Sequence, residues 1–131
     1  MKKFHLFILC IVMVFASFSV VSANTVLYTE GSYTLTISSI NADWTWTDTF
    51  PGKTKGIRLL AIRFNPGAAN DRCIINSETV SGADLFDSSV AQNTGEGSIQ
   101  YYDSSKLYKP VLDVTDGTYN AAAKVTFIFA E

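Results

Sequence analysis

Ser32-Tyr33-Thr34-Leu35-Thr36-Ile37-Ser38-Ser39-Ile40 sets Tyr33, Leu35 and Ile37 on alternate positions, with Thr34, Thr36 and Ser38 between them. A backbone with a two-residue repeat sends these two sets to opposite faces. The stretch therefore predicts a half-buried strand with one solvated side. Upstream, Thr25 to Thr29 is a short run of strand formers, and Glu30-Gly31 is a turn.

Downstream, Asn41-Ala42 turns the chain into Asp43 to Phe50. Read as a strand, this segment puts Trp44 and Trp46 on one face, with Thr45 and Thr47 on the other. Pro51-Gly52, followed by Lys53 and Lys55, is a loop. Ile57 to Phe64 is apolar on both faces, with Ile57, Leu59 and Ala61 on one and Leu60, Ile62 and Phe64 on the other. That pattern predicts a central strand covered on both sides. Asn65-Pro66-Gly67 opens a loop to Asp71, and Arg72 to Asn76 is expected to return as its hairpin partner.

Ser77 to Ala83 reads as turn, and Asp84 to Ala91 as either a strand or a helical turn. Asn93 to Gly97 is a strong turn. Ser98 to Asp103, Leu107 to Val114 and Lys124 to Ala130 read as strands, the last with Val125, Phe127 and Phe129 on one face. Pro110 inside its strand calls for an edge position or a bulge. No segment holds a helical apolar period for three turns. About seven to nine short strands at this spacing predict an all-β fold, a single antiparallel β-sandwich or jelly roll.

The first residues carry an export signature. Met1-Lys2-Lys3 is basic, Phe4 to Val21 is almost wholly apolar, and Val21-Ser22-Ala23 offers small residues at a cleavage site before Asn24. The division expected is a signal-peptide helix over 1–23 and a β-sandwich domain over 24–131. The rival reading, an uncleaved membrane anchor, fits the length of the run. The small residues at its end, with no basic cluster after them, favour cleavage and a secreted, periplasmic or cell-surface protein. Cys10 follows Phe7-Ile8-Leu9 and does not read as a lipidation site.

Without Lys2 and Lys3, eight basic residues face twelve acidic ones, a net charge of −4 over 24–131. That balance disfavours nucleic acid and anionic membrane as partners. The only histidine, His5, falls in the leader, so the mature domain has no Ser-His-Asp or Cys-His chemistry and no histidine ligand for zinc, copper or iron. Cys73 is its single cysteine, which rules out an internal disulfide.

Several residues invite functional readings. Trp44 and Trp46, about 6.7 Å apart on one strand face, would form a stacking platform for sugar rings if solvated, and would fill the core if not. Tyr101, Tyr102, Tyr108 and Tyr119 are weaker candidates for such a platform. Cys73 has no base to activate it and reads as a small buried residue. Asn70-Asp71 and Asp113 to Gly117 offer oxygen atoms for calcium but lack an EF-hand pattern, and they read as turns. Glu78 and Glu96 form no recognisable catalytic pair. Lys53, Lys55, Arg58 and Arg63 cluster in sequence, and solvation with pairing to nearby aspartates accounts for them.

Two stretches carry a resemblance. Ile62-Arg-Phe-Asn-Pro-Gly-Ala-Ala-Asn-Asp-Arg-Cys-Ile-Ile75 runs from an apolar strand through a Pro-Gly-Ala loop and an Asp into a second apolar strand. The other stretch is Tyr102-Asp-Ser-Ser-Lys-Leu-Tyr-Lys-Pro-Val-Leu-Asp113. Together they are similar to small uncharacterised β-domain proteins of phage-associated and environmental bacterial sequences. The resemblance implies a compact β-sandwich with a role in a particle or on a surface, and it transfers no site residue.

The function these features predict is an exported, non-catalytic β-sandwich that acts by surface contact, without cofactor or metal. It would self-assemble or bind a protein partner through sheet edges and loop tips such as Pro66 to Asp71. The alternative is a carbohydrate- or small-ligand-binding module built on Trp44 and Trp46.

Overall fold

A computed structural model describes residues 24–78, 84–95 and 97–131. The expected leader over 1–23, most of the turn read at 77–83, and Glu96 lie outside the described residues.

The alternating stretch forms β2 (Thr34–Ser38), with Leu35 and Ile37 fully buried. Before it come β1 (Thr25–Thr29) and a 3-10 turn over Glu30–Ser32. After it come β3 (Trp44–Thr45), a single helical turn α1 (Trp46–Thr49), and β4 (Leu59–Asn65). Then follow β5 (Ile74–Ser77), β6 (Asp84–Asp87), β7 (Gln92–Thr94), β8 (Gly97–Tyr101), β9 (Pro110–Leu112) and β10 (Lys124–Phe129).

These ten strands make two antiparallel sheets, ordered β1-β2-β10-β4-β8-β7 and β3-β9-β5-β6. Without β1 and β7 the remaining eight read 2-10-4-8 over 3-9-5-6, which is the strand order of a jelly roll. The expected all-β sandwich is observed. The three-residue β7 overlaps the stretch read as turn at 93–97 and is too short for an alternation pattern to reveal.

The core lies between the sheets. One sheet contributes Leu35, Ile37, Leu59, Ile62, Phe64, Val125, Phe127 and Phe129. The other contributes Trp44, Ile75, Phe86 and Leu112, with Cys73, Ile57 and Trp46 beside them. Each fully buried aliphatic or phenyl side chain stabilises the fold by about 1.5–3 kcal/mol relative to exposure.

Three local expectations are corrected. β4 and Arg72 to Asn76 do not form a hairpin. β4 pairs with β10 and β8, whereas β5 pairs with β6 and β9 in the opposite sheet. Two consecutive apolar strands look alike in sequence whether they pair or stack, because both turn apolar residues inward. Second, the face assignment within β4 shifts by one residue. Phe127 pairs with Ile62 and Ile128 with Ala61, but Phe129 pairs with Leu59, so Leu60 is the extra residue of a bulge. The bulge rotates Leu59, rather than Leu60, into the core beside Phe129.

Third, Asp43 to Phe50 is not one strand. It stops at Thr45, where the Asp48 carboxylate reaches back to accept the Thr45 N–H at 2.6 Å and starts α1. Pro110 satisfies its constraint as the first residue of β9, beyond the end of β3 and paired with Ser77.

Candidate functional site

The two indoles do not form a surface platform. Trp44 and Trp46 are each only 2% exposed. Trp44 packs at a tilt on Phe127, ring centroids 4.9 Å apart, and its Nε1–H donates to Thr49 Oγ1 at 3.2 Å. Helical turn α1 swings Trp46 inward, and its Nε1–H donates to the Lys53 carbonyl at 2.6 Å. Buried indoles need a partner for their N–H, and both have one. The ligand-binding reading of Trp44 and Trp46 required wet rings, and burial between the sheets removes that requirement's basis.

Trp46 instead anchors a cationic loop from beneath. Lys53 N–H donates to the Phe50 carbonyl at 2.9 Å and Gly56 N–H to the Lys53 carbonyl at 3.0 Å, so residues 50–56 fold into two successive turns. Gly56 then runs at φ +110° against β9's approach, where a Cβ would sit 2.5 Å from the Tyr108 carbonyl oxygen. Only glycine lets the Ile57–Tyr108 bridge close so tightly.

Between this loop, β1 and the end of β10 lies an open cleft of about 740 Å³. Lys53, Lys55 and Arg58 line it on the loop side, and Tyr28, Tyr33, Phe50 and Phe129 provide its aromatic surfaces. Phe50 meets Tyr28 edge-on at 5.0 Å and Phe129 at 5.5 Å, so the three rings brace one another. Tyr33 donates its hydroxyl to Glu131 Oε1, and that bond to a carboxylate raises the tyrosine's pKa. Arg58 donates to the main-chain oxygen of Glu131 at 3.3 Å.

Lys53 and Lys55 are exposed, and neither forms a salt bridge with a described residue. The expected pairing of these lysines with nearby aspartates is therefore not observed. Asp48, Asp71, Asp103 and Asp113 instead serve turns, and Asp87 binds Arg72. Three of the eight basic residues of 24–131 thus converge on one cleft of a domain whose net charge is −4. Against them stands Glu131, also in the described lining, and the basic excess that remains, next to ring faces, suits an anion that also carries an apolar face.

The other candidates are structural. Cys73 is fully buried, and burial pushes its thiol up to about 12, against a weaker lowering by the Tyr119 hydroxyl. A thiol so disposed is a poor nucleophile. Asp71 Oδ2 accepts the N–H groups of Gly67 and Ala68 at 2.7 and 3.0 Å, closing the loop after Pro66. Asp113 Oδ1 accepts the Thr115 N–H at 2.9 Å and its hydroxyl at 2.6 Å. Those oxygen atoms serve turns, and no cluster of three or more potential metal ligands occurs among the described residues.

Glu78 pairs with Lys109 at 3.4 Å, and Lys109 lies 5.8 Å from the centre of the Trp46 ring. Tyr102 donates to the Leu85 carbonyl at 2.7 Å, which leaves Tyr101 as the exposed member of that pair. The cleft itself had a partial signal in the sequence. The basic run from Lys53 to Arg58 was visible, but its convergence with Tyr28 and Phe129 is a product of topology.

Comparison with known proteins finds no matching family model, no matching curated protein and no matching solved structure.

Proposed function

We propose that this is an exported binding module that acts by contact rather than catalysis, and that its cleft takes an anionic saccharide. The observation that carries this reading is the pair of unneutralised lysines, Lys53 and Lys55, set with Arg58 beside Tyr28, Tyr33 and Phe50. Sugar rings present apolar C–H faces to aromatic side chains, and carboxylate or sulfate substituents meet the ammonium groups. The contact reading is supported by the sealed thiol of Cys73. Export rests on the leader-like run from Met1 to Ala23.

Calorimetric titration with polygalacturonate, against a neutral glucan as reference, tests the reading. Binding is expected to the acidic polymer alone and to weaken as salt is added. Two exposed charge contacts at roughly 0.7 kcal/mol each amount to about tenfold in affinity, so Lys53→Ala with Lys55→Ala should weaken binding by about that factor. Equal affinity for both polymers, no binding to any acidic polysaccharide, or indifference to the double substitution would reject the assignment.

A further inference from the structure

Among the described residues, strand β1 is the outermost strand of the six-stranded sheet and pairs with β2 alone. All five of its residues are exposed. Val26 and Tyr28 pair with the fully buried Ile37 and Leu35 and so face the same side of the sheet as the core, yet they are 40% and 37% exposed. The four-stranded sheet stops short of them. Leu27, on the opposite face, is 64% exposed.

The other described edges are blunted. β7 is three polar residues, β3 is two residues long, and β6 begins and ends in aspartate. β1 has none of the usual protections. It carries no lysine, no proline and no bulge, and its register with β2 is unbroken from Thr25 to Thr29.

Its sequence is self-complementary. Thr25-Val26-Leu27-Tyr28-Thr29 has a threonine at each end and an apolar or aromatic residue on each side of Leu27. An antiparallel second copy places Thr25 opposite Thr29, Val26 opposite Tyr28, and Leu27 opposite itself. Hydroxyl pairs and aromatic–β-branched pairs are favoured cross-strand neighbours. The flanks agree as well. Just beyond the strand, Glu30 opens the 3-10 turn, so with the leader removed after Ala23 a new α-ammonium group at Asn24 would lie near that carboxylate of the second copy, twice by symmetry. This charge match rests on the cleavage expected above.

We propose that the protein pairs with a second copy of itself through β1, in a two-fold arrangement that joins both six-stranded sheets edge to edge. The two-fold axis of an antiparallel pair stands perpendicular to the sheet. Both Tyr28 side chains, and with them both clefts, therefore face the same way. A dimer of this kind would engage a polymer bivalently.

The test uses protein recovered after export, with intact mass reporting its N-terminus, and light scattering on a sizing column without added ligand. A dimer is expected. Leu27→Lys, which sets two ammonium groups against each other on the axis, should halve the solution mass, and Val90→Lys at a distant exposed site should not. Oxidised Leu27→Cys should yield a covalent dimer on a denaturing gel, since only a residue on the axis meets its own copy, and this result decides the matter if the lysine variant fails to fold. A monomeric parent protein, a dimer indifferent to Leu27→Lys, or no cross-link at position 27 overturns the proposal. Because no saccharide is present, the outcome is independent of the ligand reading.

Discussion

Replacing Asp87 by asparagine removes one charge from the end of β6 at almost constant volume. The Asp87 side chain is 11% exposed and accepts four hydrogen bonds. Oδ1 takes Arg72 Nε–H at 3.2 Å, Ser89 N–H at 2.9 Å and the Ser89 hydroxyl at 2.8 Å, and Oδ2 takes the terminal guanidinium nitrogen at 2.5 Å. Arg72 is 51% exposed, so solvent screens its part heavily. The weakened acceptance at the little-exposed Asp87 side chain amounts to about 2 kcal/mol near pH 7, which corresponds to roughly 10 °C in Tm for a domain of this size.

The loss should depend on pH. The bond from Arg72 holds the Asp87 carboxyl well below the usual carboxylate range, outweighing desolvation and helped by Ser89. In the unfolded chain the group titrates near about 3.9. A depressed folded value means the stabilisation is complete above about pH 5 and is lost as pH falls below about 4 toward the folded value. Urea unfolding followed by tryptophan emission, from neutral pH down to acid, should therefore show parent and Asp87→Asn converging at low pH. A gap of constant size across that range, or no gap at neutral pH, would refute the reasoning.

Gly97 opens β8 at φ +118°, and an added Cβ would lie 2.1 Å from the Phe64 carbonyl oxygen. Gly97→Ala should cost about 3 kcal/mol, with hydrogen exchange accelerated first in β7 and β8. Cys73 in the native protein should resist thiol reagents near pH 8. Because burial raises its folded pKa, its contribution is intact below the unfolded value of about 8.5 and declines as pH rises from there toward 12. Cys73→Ala should remove that alkaline dependence at a cost of about 1–2 kcal/mol at neutral pH, read by denaturant unfolding across an alkaline series.

Much of the chain was legible because β2 and β10 each turn one face into the core and leave the other less buried. Leu35 and Ile37, and Val125, Phe127 and Phe129, all occupy the core positions that alternation assigns them. Cys73 as a buried residue and Asp113 as a turn former follow equally local rules. The strand reading failed at Trp46, because the Asp48 carboxylate caps the Thr45 N–H and starts a helical turn there. It failed again at Leu60, because a bulge is invisible until the partner strand is known.

The sequence by itself determined the all-β class and the two-faced character of the longer strands, since side-chain period and turn chemistry act over a few residues. Only the tertiary structure decided which strands pair and which stack, whether the indoles are wet, and that Lys53 and Lys55 share a cleft with Tyr28 and Phe129. Those outcomes depend on contacts between residues far apart in the chain. Their free energies exist only once two sheets exclude water from the space between them.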